Sequence, residues 1–97
     1  MASKYQGYWK CEYRGVSAPW TEYYYVCTSA EWYYYSRATE KWVAAGPQTF
    51  RSYMGYNMDP HINVDGNRTF RKIPPLEVIV VCGQLCKNKR RNNERPK

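Results

Sequence analysis

This chain has one histidine, His61, and so lacks the means for histidine-pair chemistry. Its serines, Ser3, Ser17, Ser29, Ser36 and Ser52, stand in no G-x-S-x-G elbow, and there is no glycine-rich phosphate loop. Before residue 87 the carboxylates are scattered as Glu12, Glu22, Glu31, Glu40, Asp59, Asp65 and Glu77, and no spacing marks an acid and base pair. No catalytic residue, resident metal or cofactor is therefore expected, and the chain reads as a non-enzyme. The cysteine spacing is equally poor for zinc, because Cys11 and Cys27 are far apart and Cys82 and Cys86 form C-x3-C.

Aliphatic residues are scarce too. Leu, Ile, Val and Phe together number 14 in 97 residues, which with a net charge of +7 raises the prospect of disorder. The longest apolar run, Val78 to Cys82, is too short to span a bilayer. The opening Met1-Ala2-Ser3-Lys4-Tyr5 has no apolar signal-peptide core, as in a mature secreted chain carrying an initiator Met. One sequon, Asn67-Arg68-Thr69, agrees with a secretory route.

Aromatic residues fill the gap, with 11 Tyr and 4 Trp. Each can bury roughly 150–250 Å², so a thin aromatic core is expected in place of an aliphatic one. Four cysteines in a short chain add a covalent supplement if the compartment is oxidising. Two disulfides are expected, joining Cys11 and Cys27 to Cys82 and Cys86, because long loops gain most from closure.

The tryptophans recur at 9, 20, 32 and 42, with polar turn-like stretches between them. Short β-rich runs at that spacing predict an all-β fold: a small antiparallel meander, sandwich or barrel-like domain over residues 1–86. Strands are expected near 7–14, 21–28, 31–37, 48–54, 61–64, 67–72 and 76–82. Asp65-Gly66 supplies a two-residue hairpin signal, and Leu76 to Val81 reads as a central strand because it is β-branched on both faces. Under roughly a tenth of the chain is expected in α-helix, since no stretch repeats apolar residues at helical spacing. Residues 87–97 carry six positive charges and one negative and no apolar residue except proline. They are expected to form a disordered basic tail.

Strand alternation divides the tyrosines. Tyr23 and Tyr25 share a face with Cys27, and a bridge from Cys27 makes that the core face, with Trp32 and Tyr34 assigned beside it. Tyr24, Tyr33 and Tyr35 are then left pointing outward near Arg37, with Tyr56 on a neighbouring loop. Such a tyrosine-rich surface suits protein recognition, so the function expected is a small secreted binding protein of inhibitor or effector type. Its partner is a protein of unspecified identity. The alternative is a lectin-like or polyanion-binding module for an anionic polysaccharide such as a glycosaminoglycan, or for nucleic acid. That reading uses stacked tyrosines together with Lys87, Lys89, Arg90, Arg91 and Arg95 of the tail.

Overall fold

The computed structural model describes residues 4–15 and 19–86. Five strands, β1 (Gly7–Tyr13), β2 (Trp20–Thr28), β3 (Glu31–Ser36), β4 (Lys41–Ala44) and β5 (Arg68–Ile73), form one sheet. Their order is β4-β3-β2-β1-β5, with every neighbouring pair antiparallel. Helix α1 (Phe50–Met58) lies between β4 and β5 in sequence, and helix α2 (Pro75–Cys82) follows β5. The expected β-rich meander is present and runs through β1, β2, β3 and β4. The sheet is open, flanked by helices, and neither closed as a barrel nor doubled as a sandwich.

Opposite faces of the sheet carry separate cores, one beneath each helix. Beneath α1, Cys11, Tyr24, Val26 and Trp32 gather round Phe50, with Trp9 and Phe70 at the margin. Beneath α2, Tyr8, Tyr23, Cys27, Tyr33, Trp42 and Ile73 gather round Val78, Cys82 and Cys86. A half-buried strand alternates apolar with polar, whereas Tyr23-Tyr24-Tyr25-Val26-Cys27 is apolar throughout. That is what a strand covered on both sides requires.

Two expected strands are helices. At 48–54 the chain enters α1, where Thr49 is the N-cap and its Oγ1 accepts from Ser52 N at 3.0 Å. A cap of this kind satisfies one of the orphan donors of the first turn. At 76–82 it forms α2, introduced by Pro74 and Pro75 and ended by Gly83 in the left-handed conformation at φ 81. Proline at the first helical turn and glycine just past the last are helix signals. They prevail over the β preference of Val78-Ile79-Val80-Val81 because Val78 and Cys82, four residues apart, bury together against the sheet. With nine and eight residues, the two helices exceed the helical content expected.

The short strand β4 lies at 41–44, where no strand was expected. The arm at 61–64 forms turns instead of a strand, although Gly66 adopts the turn conformation at φ 67. Asn63 explains the difference. Its side-chain amide accepts from Arg68 N at 2.9 Å and donates to Arg68 O at 3.2 Å, doing what a partner strand's peptide would do.

The cysteines also depart from expectation. None of the four is in a disulfide. Cys11 pairs in register with Glu22, which places it on the Tyr24 and Val26 face, away from Cys27. Cys27, Cys82 and Cys86 belong to the core on the other side. The sheet thus separates Cys11 from its expected partners, and two bridges joining the early pair to the late pair are not compatible with this arrangement.

Candidate functional site

Cross-strand register decides which tyrosines are available. Tyr24 lies opposite Tyr34, Tyr25 opposite Tyr33, and Val26 opposite Trp32. Directly opposed residues share a face, so Trp32 and Tyr34 go with Tyr24, and Tyr33 and Tyr35 go with Tyr23, Tyr25 and Cys27. The expected outward triplet does not form. Tyr24 is 1% exposed and Tyr33 6%, one in each core. Tyr35 is half-buried against Trp42, with ring centroids 5.3 Å apart. The assignment failed because it took Cys27 and Trp32 to share a face, when the register opposes Trp32 to Val26.

The open surface lies at the other end of β2 and β3. Their ladder ends at Tyr24↔Tyr34, yet β2 continues to Trp20 beside β1 and β3 continues to Ser36 beside β4. The strands diverge there, and a cleft of about 470 Å³ opens between Trp20–Tyr23 and Tyr34–Ala38. Arg37 crosses the split, its guanidinium donating to Thr21 O at 3.3 Å. Pro19 and Ala38 also line this cleft.

A second cleft of about 330 Å³ adjoins the first, sharing Glu22 and Tyr34 with it. Tyr24, Trp32 and Tyr53 line it, together with Ala45, Gly46 and Gln48 of the loop after β4. The loop is held there by Trp32 Nε1, which donates to Gln48 O at 2.9 Å, and by Ala45 N, which donates to Trp32 O at 2.9 Å. The combined groove follows the sheet surface with Glu22 at its middle.

Hydrogen bonds fix the polar floor. Tyr24 Oη donates to Glu22 Oε1 at 3.0 Å and lies 2.9 Å from Tyr53 Oη. Burial raises the Tyr24 phenol far above its ordinary value, with the Tyr53 hydrogen bond and the Glu22 charge adding to the rise. Tyr53 is raised by burial as well, although the Tyr24 hydrogen bond pulls it back. Both phenols therefore stay protonated, with the Glu22 carboxyl group beside them in an aromatic groove. An exposed carboxylate flanked by ring faces offers a cation both charge and quadrupole attraction. It also offers a hydroxyl-bearing ring an acceptor beside a stacking surface.

The structure brings Arg37 and Tyr35 to the cleft and leaves Tyr24 as part of its floor. Tyr33 is elsewhere, and Tyr56 stands 63% exposed on α1 outside the lining of either cleft. Sequence reasoning missed Trp20, Glu22, Trp32, Tyr34 and Tyr53. The recurrence of tryptophans carried the signal for Trp20 and Trp32. Nothing in the sequence reveals where the β2–β3 ladder stops. The proposed polyanion residues Lys87, Lys89, Arg90, Arg91 and Arg95, and the tail they belong to, lie outside the described residues.

Among the described residues there is no group of three or more His, Cys, Asp or Glu placed to hold a metal ion. Nor is any helix among them long and apolar enough to cross a membrane. Comparison with protein-family models, with curated proteins and with solved structures gives no match, so the groove's geometry is what bears on function.

Proposed function

We propose that the protein is a small binding module that takes an extended segment of a partner protein into the groove where β2 and β3 diverge. The observation that carries this reading is the end of the ladder at Tyr24↔Tyr34. Beyond it, Glu22–Tyr23 and Tyr35–Ser36 have no partner across the split. Main-chain groups at such an opening pair with an added strand, and neighbouring pockets select its side chains. Trp20 and Tyr34, each 37% exposed, supply aromatic contact area. Glu22 selects a lysine or arginine in the incoming segment. An inhibitor or effector role follows if the captured segment belongs to a partner's own working surface. An extracellular setting draws its support from the sequon Asn67-Arg68-Thr69, because the four cysteines are unbridged, and glycan occupancy at Asn67 is the measurement that checks it.

A second reading, stacking of sugar rings, draws support from Glu22 beside the exposed Trp20 and Tyr34 rings. One experiment separates the two. Peptides selected from a displayed library against the intact protein should share a basic residue within an apolar, extended context. Their binding should fall about tenfold with Glu22→Gln and with Tyr34→Ala. Peptides indifferent to both substitutions would refute the reading, and glycans binding through the same two residues would favour the sugar.

A further inference from the structure

Helix α2 is apolar on both sides. Val78 and Cys82 face the sheet, whereas Leu76 is 69% exposed, Val80 75%, Val81 49% and Ile79 44%. Leu76 and Val80 are four residues apart and so lie one above the other on the outer surface. An isolated exposed aliphatic needs no explanation, but four on one eight-residue helix form a patch. The polar groups beside it are spoken for. Glu77 pairs with Lys10 at 3.7 Å and with Arg71 at 3.6 Å, which neutralises the carboxylate on this helix.

Three occupants compete for this face. Residues 87–97 hold no apolar side chain except proline, so their composition offers this face no apolar partner. A second copy fits badly. A stable dimer buries about 800 Å² per partner, which the outer side chains of one short helix do not approach. Pairing through α2 would also bring together two segments with six positive charges each, starting five residues beyond the helix. An anionic lipid surface meets both features at once. A short apolar helix face and a neighbouring polybasic stretch are the two signals that together hold a protein on a bilayer, each being marginal alone.

We propose that α2 is a superficial membrane anchor, its Leu76, Ile79, Val80 and Val81 face dipping among lipid headgroups while Lys87 to Lys97 engages anionic lipid. The helix is about 12 Å long and lies along the surface without crossing the bilayer. The groove between β2 and β3 involves none of these side chains, so this anchor and the proposed peptide recognition succeed or fail separately.

Co-sedimentation of the full chain with vesicles tests it, using phosphatidylcholine alone and an equimolar mixture with phosphatidylserine. Binding is expected to the mixture, to weaken with added salt, and to be slight on phosphatidylcholine alone. The double change Leu76→Gln with Val80→Gln should lower affinity about tenfold through lost apolar contact. Each basic residue neutralised, as in Arg90→Gln or Arg91→Gln, should lower it about fivefold. Val80→Trp, which enlarges the apolar face, should tighten binding and keeps the test open if the double variant folds poorly. Failure of the wild type to bind the mixed vesicles overturns the proposal, as does unchanged binding by the glutamine and tryptophan variants. A dimer in sedimentation equilibrium that the double change dissolves would assign the face to a second copy instead.

Discussion

Tyr24 and Tyr34 are the same residue type, directly opposed on neighbouring strands, and should nevertheless behave oppositely on truncation. Tyr24 is 1% exposed, and its ring lies 5.7 Å from Phe50, 5.7 Å from Trp32, 5.6 Å from Tyr53 and 6.1 Å from Phe70. Removing a fully buried aromatic side chain costs about 3–5 kcal/mol, more where neighbours cannot collapse into the space. Here the neighbours are rigid rings, so the upper half of that range applies. A domain of this size has about 5–15 kcal/mol in total. Tyr24→Ala should therefore lower the melting temperature by on the order of 20 °C. Tyr24→Phe keeps the packing and removes only the hydroxyl between Glu22 and Tyr53, which costs about 1 kcal/mol. Tyr34→Ala, on a half-exposed ring, should cost about 1 kcal/mol or less while removing most groove affinity. Urea titrations followed by tryptophan fluorescence read all three, with the slope checking that the unfolded state is unchanged. Equal losses for Tyr24→Ala and Tyr34→Ala, or a Tyr24→Phe as damaging as Tyr24→Ala, would refute the assignment of one to the core and the other to the groove.

Alkaline stability is a second test. Burial pushes the Tyr8 phenol up to about 12, against the lowering effect of the hydrogen bond from Cys86 N. Burial pushes the Cys11 thiol up to about 12 as well, with Arg68 drawing it back. Both folded values exceed the ordinary 10.0 and 9.0. The stability they contribute is thus complete below about pH 9 and is lost as pH rises towards about 12, by several kcal/mol in total. Urea midpoints measured across that window should fall, and Cys11→Ala should flatten the earlier part of the fall. Peptide mapping after mild oxidation should find any intramolecular bridge among Cys27, Cys82 and Cys86, never at Cys11; a bridged Cys11 contradicts the two-core sheet. Asn57 is buried, receives the Arg68 guanidinium on its Oδ1 and donates to Tyr53 O at 2.8 Å. Asn57→Ala should cost about 2 kcal/mol by leaving a charged donor without its acceptor, and hydrogen exchange should quicken first in α1.

Much of the sheet was legible because strand signals are local. Trp9, Trp20 and Trp32 each sit in a strand flanked by turn residues, and β1, β2 and β3 fall within a residue or so of the expected spans. The helices were harder to read. Pro74-Pro75 and Gly83 bracket α2 plainly, but four consecutive β-branched residues point to a strand, and it is the tertiary packing of Val78 and Cys82 that favours the helix. The face assignment was lost at one step, the supposition that Cys27 and Trp32 share a face. Period-2 alternation fixes faces within a strand and says nothing about register between strands. That register decided which tyrosines are core. The groove was illegible for the same reason, since it exists where a ladder ends and no residue type announces that.

The strand order has a consequence for how the protein is made. Because β1 pairs with both β2 and β5, its second edge waits for a strand that follows three others and a helix in the chain. The meander from β1 to β4 can pair early through short turns, but neither helix exists yet to cover it. A ribosome that has delivered the chain only as far as β4 therefore holds a sheet with aromatic rings on both sides and β1 as an open edge. Contacts so distant in sequence form slowly, and bare edges of this kind attract other chains. The same topology that gives the finished molecule two cores asks its nascent form to be guarded on two faces at once.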